Sequence, residues 1–310
     1  MSASKKDLLT LFDFSPDELR NIISLAAELK AKRYSFPYRT FDQRSGVLIF
    51  EKPSLRTRIT FETAINELGG HAINLASNAV GMGKRESVED VARNLERVVH
   101  LIVARTFDHE TVVQLARFSS IPVINALTDS FHPCQALAFA LTVHENRPDQ
   151  KSNIVFVGDG NNVCNSIMVI CAKLGYNFTV VGPNGYAPNK EMVKNCQDIC
   201  KQTGGTLTIT NDLFPAIQKA DMIYTDVWAS MGQEEETEKR RKVFKSYQVN
   251  SELISKASDD VLVSHCLPAH RDEEITSDVL DSSHSVAFDE AENRLHVQKA
   301  AIVHLFSQHR

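Results

Sequence analysis

Gly46-Val47-Leu48-Ile49-Phe50-Glu51-Lys52-Pro53-Ser54-Leu55-Arg56-Thr57-Arg58 places a short apolar run directly before a turn crowded with cations and hydroxyls. Four apolar residues in a row after a glycine read as a strand buried on both faces, as in a parallel sheet covered by helices. A helical pattern over 60–68 follows. A helix that opens just past a strand offers free backbone N–H groups and the positive end of its dipole, which together make an anion site. Ser54 and Thr57 add hydroxyls, and Arg56 and Arg58 add forked donors suited to a phosphate. The alternative is a capped helix whose arginines are solvated.

The same alternation extends outward from this stretch. Strand-like runs lie at 71–75, 101–104 and 122–125, with helical patterns at 87–99 and 110–118. A long apolar helix is expected over 132–145, and the polar break Asn146-Arg147-Pro148-Asp149-Gln150 marks a domain boundary. The pattern restarts with Ile154-Val155-Phe156-Val157 and continues through strands at 178–181, 207–209, 222–224 and 261–263. Helices are expected at 163–174 and 190–201, and an amphipathic one over 291–306. Near the start, Ser15-Pro16-Asp17-Glu18 predicts a capping box. Strands alternating with helices give an α/β fold of two doubly wound parallel sheets. The expected domains are 1–147 and 148–290, and 310 residues independently exceed one compact core.

A net charge of −5 argues against a nucleic-acid partner, which selects basic faces. No apolar run approaches the roughly 20 residues that span a bilayer, and Asp13, Asp17 and Glu18 interrupt any signal-peptide core. Six cysteines scattered through a chain this long read as reduced thiols of a cytoplasmic protein, not as a disulfide framework. Cys196 and Cys200 are helix-spaced, but no second ligand pair stands near them, so no metal site is expected.

Other groups also carry chemistry. His132-Pro133-Cys134-Gln135 opens the long helix, and His132 and Gln135 can face one ligand; a histidine capping a helix is the plainer account. Arg105 follows a strand, where open parallel sheets gather ligands. Gly158-Asp159-Gly160-Asn161-Asn162 starts like a dinucleotide fingerprint. It lacks the third glycine, at Val163, and an acid after the next strand, Val181-Gly182-Pro183-Asn184. A tight turn presenting two amides to a small ligand is expected instead. Asp226 follows another strand, with Trp228 and Ser230-Met231-Gly232 beyond it. Glu235 with Lys239, and Glu236 with Arg240, are spaced for a solvated helix, and a hinge at Gly232 would make 230–248 a lid. His265-Cys266-Leu267-Pro268 puts a thiol at a strand's carboxyl end, either a ligand-contacting group or an inert buried cysteine. Glu292-Asn293-Arg294 begins the final helix.

In this order the motifs resemble the aspartate and ornithine transcarbamylases across nearly the whole chain. Ser54-Leu55-Arg56-Thr57-Arg58 is similar to the family's carbamoyl-phosphate signature, and His132-Pro133-Cys134-Gln135 to its second such motif. His265-Cys266-Leu267-Pro268 resembles the ornithine members, because aspartate members have proline after the histidine. Asp226 with Ser230-Met231-Gly232 resembles their amino-acid loop. The resemblance implies transfer of a carbamoyl group from carbamoyl phosphate to ornithine, giving citrulline, as in arginine biosynthesis. A related amine such as putrescine or an N-acylated ornithine is the alternative acceptor. It also implies a homotrimer or a multiple of trimers, and a C-terminal helix, 291–310, that returns to the first domain.

By position, the resemblance implies carbamoyl-phosphate contacts from Ser54, Leu55, Arg56, Thr57, Arg105, His132, Gln135, Cys266, Leu267 and Arg294. It implies ornithine contacts from Asn162, Asp226, Ser230 and Met231. Arg105, His132, Asp226 and Cys266 are the implied catalytic residues. No metal or organic cofactor is needed, since the leaving phosphate is already activated and the work is positioning. Two positions depart from the family pattern. Leu55 stands where most relatives have threonine, which keeps a backbone N–H but removes a hydroxyl. Gly81 stands where many ornithine members send a glutamine or histidine onto a neighbouring subunit's phosphate; Lys84 and Arg85 are the nearby candidates to replace it.

Overall fold

The structure, a computed structural model, describes residues 5–34, 39–76, 81–83, 85–148, 150–229 and 234–307. Lys84, Ser230, Met231 and Gly232 lie outside the described residues. The chain divides into two compact units. One runs to Leu141 and is rejoined from Glu292 onward; the other spans Thr142–Ala291. The division falls inside the helix Pro133–Asn146.

The first unit holds β1 (Ser45–Phe50), β2 (His71–Ala76), β3 (Leu101–Arg105) and β4 (Val123–Leu127), all parallel, in the order β2-β1-β3-β4. Every residue of β3 is buried, as a strand covered on both faces must be. Val47, Ile49, Ile102 and Ala104 pack with Val91, Val112 and Leu115, which lie on the helices Val88–Leu95 and His109–Phe118. Each fully buried aliphatic side chain of this kind contributes roughly 1.5–3 kcal/mol. The helix expected from residue 60 begins earlier, as Leu55–Glu67. Periodicity registers only its buried face, Thr57, Phe61, Ala64 and Ile65, so a polar first turn escapes it.

The helix Ala287–Ser307 returns to the first unit from Glu292 onward. Lys299 Nζ donates to Glu67 Oε2 at 2.7 Å, and Arg33 Nη2 to the other oxygen at 2.8 Å. Lys30 Nζ reaches Asn293 Oδ1 at 2.8 Å, and Phe306 meets Phe41 edge-on with ring centres 4.9 Å apart. These contacts join the last segment of the chain to its first two helices.

The second unit holds β5 (Asn153–Val157), β6 (Asn177–Val181), β7 (Thr206–Thr210), β8 (Met222–Thr225) and β9 (Leu262–His265), again all parallel, in the order β7-β6-β5-β8-β9. Helices Asn162–Leu174 and Lys190–Thr203 follow β5 and β6. The short helices Leu213–Ile217, Ser251–Ile254 and Ser277–Leu280 were not anticipated, because one turn of helix shows no period. In each sheet the chain leaves the centre in two directions, and the reversal lies between β1 and β3 in one and β5 and β8 in the other. Crevices open outside the strand ends at such reversals. No helix of the described residues is long and apolar enough to cross a membrane, and all six cysteines are free thiols.

The capping box expected at Ser15 is formed on the helix Pro16–Ala31: Glu18 N–H donates to Ser15 Oγ at 3.2 Å and Ser15 N–H to Glu18 Oε2 at 2.9 Å. Burial pushes the Glu18 carboxyl up, but hydrogen bonds from Lys6 and Ser15 outweigh this and hold it at about 2, below the ordinary 4.5. A depressed carboxylate contributes stability above its unfolded pKa and loses it as pH falls through the folded one. Between pH 4.5 and about 2, the thermal midpoint of Glu18→Gln should therefore fall less steeply than that of the unaltered protein. Parallel melting curves across that window would remove Glu18 from the acid response.

Candidate active site

After β1 the chain turns through 51–54 into the helix Leu55–Glu67. The turn is tied to the end of β3. Glu51 N–H donates to the Arg105 carbonyl at 2.8 Å, and the Glu51 carboxylate accepts from Phe107 N–H at 2.9 Å. Ser54 is the residue before the helix, yet its hydroxyl makes no cap bond. It accepts instead from Arg105 Nη1 at 3.2 Å. Thr57 Oγ1 accepts from Arg294 Nη2 at 2.7 Å and lies 3.5 Å from Arg105 Nη1. Arg294 Nη1 donates to Gln135 Oε1 at 2.7 Å. Ser54, Thr57, Arg105, Gln135 and Arg294 thus meet at one helix N-terminus, although they come from distant parts of the sequence.

Thr57, Arg105, His132, Gln135 and Arg294 are all buried. His132 is pushed well below the usual histidine range, first by burial and then by the charges of Arg294 and Arg105. Near neutral pH its ring is uncharged. Cys134 is a packing residue: burial pushes its thiol up to about 12, and Sγ points at the Asn125 carbonyl, 3.8 Å away. Arg56 is half-buried, whereas Leu55 is 70% exposed. The leucine side chain therefore stands apart from the buried cluster, and the missing threonine hydroxyl leaves that cluster intact. Arg58 departs from the anion-site expectation. Its Nε donates to Asn74 Oδ1 at 3.1 Å, because one helical step past Thr57 points it outward. Gly81 has φ 60, its carbonyl accepts from Arg85 N–H at 2.8 Å, and an added Cβ would meet Arg85 Cβ at 3.1 Å. A tight left-handed turn explains this glycine.

In the second unit, β5 leads into Gly158-Asp159-Gly160-Asn161. The two glycine amides of this turn bond within the protein, contrary to the expectation that they face a ligand: Gly158 N–H donates to the Val181 carbonyl at 2.9 Å and Gly160 N–H to that of Tyr186 at 2.8 Å. Glycine is required at 160 for close approach, since a Cβ would lie 2.3 Å from Pro188 N. Asn161, rather than Asn162, is the cap of the helix Asn162–Leu174, accepting from Val163 and Cys164 N–H at 3.0 Å. Its amide also donates to Asp226 Oδ2 at 2.7 Å. Asp226, buried at the end of β8, accepts from Cys266 Sγ at 2.8 Å and from Val227 N–H at 2.8 Å on its other oxygen. Asp226 and Cys266 are brought together; Asn162 opens the helix beside them.

Arg240, expected on a solvated helix, is buried instead. From the helix Thr237–Phe244 its Nη1 reaches Asp159 Oδ2 at 2.6 Å and the Trp228 carbonyl at 2.9 Å, and its Nε reaches Glu236 at 2.9 Å. Asn161, Asp159 and Arg240 are thus structural parts of this cluster that sequence reasoning missed. The spacing of Glu236 and Arg240 was visible, but the distant partner Asp159 was not. Asp226, His265 and Cys266 offer metal-ligand atoms within 4.8 Å of one another. However, His265 Nδ1 accepts from Leu267 N–H at 2.8 Å and Nε2 faces Glu274 Oε1 at 3.1 Å, so neither ring nitrogen has a lone pair left for a cation.

Known proteins resemble the chain along nearly its whole length. Residues 6–145 match the family model described as the carbamoyl-P binding domain of aspartate/ornithine carbamoyltransferase, and residues 150–305 match its Asp/Orn binding domain. An ornithine carbamoyltransferase from Pyrococcus horikoshii is 46% identical over 304 residues, which cover 97% of this chain and 96% of that one. One from Archaeoglobus fulgidus is 46% identical over 305 residues, 98% of each. Among solved structures, the ornithine carbamoyltransferase from Pyrococcus furiosus superposes with a TM-score of 0.94 at 44% identity, covering 97% of both chains. The anabolic enzyme from Campylobacter jejuni superposes with a TM-score of 0.93 at 36% identity, covering 98% of this chain and 99% of that one. This chain belongs to the aspartate/ornithine carbamoyltransferase family.

Proposed function

We propose that this chain transfers the carbamoyl group of carbamoyl phosphate to the δ-amine of L-ornithine, releasing L-citrulline and phosphate. The observation that carries this reading is the convergence of Arg105, Arg294, Ser54 and Thr57 at the N-terminus of the helix Leu55–Glu67. Guanidinium forks, hydroxyls and helix N-terminal amides are the donor set a phosphate group selects. The choice of ornithine over aspartate rests on Asp226. A buried carboxylate attracts an ammonium group and repels an acidic acceptor. Full-length relatives named for ornithine agree with this.

Ornithine's δ-amine is mostly protonated near pH 7 and must lose that proton to react. In the reading proposed here, Asp226 and Cys266 orient the neutral amine, with Asn162 beside them. The nitrogen lone pair attacks the carbamoyl carbon, charge builds on the carbamoyl oxygen, the bond to the phosphate oxygen breaks, and the surplus proton of the attacking nitrogen leaves with the phosphate. Arg105, Thr57 and the neutral ring of His132 stabilise the oxygen. Ser54, Arg56, Thr57 and the Leu55 N–H hold the phosphate as it leaves, supported by Arg294 and Gln135. The Leu267 carbonyl accepts from the carbamoyl amino group. Ser230 and Met231 read the α-amino-acid end, which putrescine lacks. Family resemblance supports a homotrimer or a multiple of trimers, and six scattered free thiols fit a reducing compartment such as the cytoplasm.

The direct test is citrulline formation with ornithine, putrescine and aspartate side by side. Ornithine should lead in kcat/KM by roughly a thousandfold or more, because a site built for polar groups strongly rejects ligands lacking them. Comparable use of putrescine would reassign the acceptor. Arg56→Ala should lower kcat/KM for carbamoyl phosphate about ten- to a hundredfold, the equivalent of one charge-assisted hydrogen bond. Unchanged kinetics in a folded variant would remove Arg56 from the phosphate site. Cys266→Ser should raise the KM for ornithine while turnover persists, and a trapped carbamoyl-cysteine on the reaction path would contradict that role.

A further inference from the structure

The mechanism above makes no use of the buried pair His265 and Glu274, although the pair stands directly behind Cys266 and Leu267. His265 is the last residue of β9 and Glu274 lies in the loop that follows; both are fully buried. Glu274 Oε1 lies 3.1 Å from His265 Nε2 and also accepts from His270 N–H at 2.6 Å. On the other side of the ring, Nδ1 accepts from the Leu267 N–H at 2.8 Å. A ring nitrogen accepts only when it carries no proton, so the proton of a neutral His265 sits on Nε2, facing the carboxylate. Exchanging the tautomer would set Nδ1–H against the Leu267 N–H, donor against donor.

Leu267 needs such a restraint. Its φ is 54, in the left-handed region that a branched side chain rarely adopts. Conformations of this kind persist only where the surroundings over-determine them, and they cluster at functional sites. We infer that Glu274 and His265 are positioning residues: the carboxylate selects the ring tautomer, the ring holds the Leu267 N–H, and the Cys266-Leu267 segment is thereby kept in the arrangement that carbamoyl transfer uses. This rests on the function proposed above.

The test uses the full-length protein, after citrulline formation by the unaltered chain has been measured; failure of that first assay would sink the functional reading, not the role of the pair. His265→Asn places an amide oxygen near Nδ1 and keeps an acceptor for the Leu267 N–H. His265→Gln places its amide near Nε2, keeping the link to Glu274 and losing that acceptor. The Asn variant should retain kcat/KM within about fivefold. The Gln variant should lose on the order of ten- to a hundredfold, mainly in kcat, at a matched melting temperature. A purely structural role would lower stability in both variants and leave the kinetics of the folded fraction alike, and that result would overturn the inference. Nitrogen-15 spectra of the unaltered protein give a reading that depends on no variant. The His265 ring should show a protonated Nε2 and a bare Nδ1. A proton on Nδ1, with or without one on Nε2, would overturn the inference.

Discussion

Both residue clusters, one in each unit, depend on the reversal of strand order at the centre of each sheet. Right-handed crossovers send successive helices to one face when the chain moves one way along the sheet, and to the other face when it moves back. The loops after the two central strands therefore part, and the strand ends beneath them stay open. In the first unit these ends are those of β1 and β3, which supply Ser54, Thr57 and Arg105. In the second they are those of β5 and β8, which supply Asn161 and Asp226, with Cys266 arriving from the neighbouring β9.

The cluster in the first unit concentrates positive charge in a buried place. Isolated buried ions are costly, and the fold meets that cost with polar groups of no net charge: the hydroxyls of Ser54 and Thr57 and the amide of Gln135. These acceptors carry no charge of their own, so they do not cancel the guanidinium field. The field is visible in His132, where Arg294 and Arg105 add to burial in disfavouring the imidazolium. A neutral imidazole beside two arginines is suited to a developing oxyanion, since it donates without competing for the substrate's proton.

The cluster in the second unit is organised by reach between loops. Asp226 is held from both sides, by Asn161 of the turn after β5 and by Cys266 after β9. Arg240 adds a second tie across the same turn through Asp159 and the Trp228 carbonyl. Deeper in the unit, Glu290 accepts from Tyr224 at 2.7 Å and Ser264 at 2.6 Å, pinning β8 and β9 two residues before Asp226 and Cys266. Each tie takes its orientation from residues far away in sequence, so the acidic group is set by the whole sheet.

Short apolar runs punctuated by glycine, proline and polar turns determined the α/β class, the parallel sheets and the first capping box, because these follow from local burial and backbone rules that a linear pattern displays. Ser54, Arg105, His132, Asp226 and Cys266 stand out along the chain because each lies at or beside an element's end, where chemistry collects, whereas Arg294 lies seven residues inside the helix Ala287–Ser307, which begins before the expected residue 291. Tertiary structure alone decided which of them share donors. It turned Arg58 out to Asn74, bonded the two glycine amides of the Gly158-Asp159-Gly160 turn to the carbonyls of Val181 and Tyr186, and drew Arg240 inward to Asp159. Neither Glu274 behind His265 nor Asn161 beside Asp226 could be read along the chain. A hydrogen bond between residues tens of positions apart depends on strand order and register, and those are settled only when the sheets assemble.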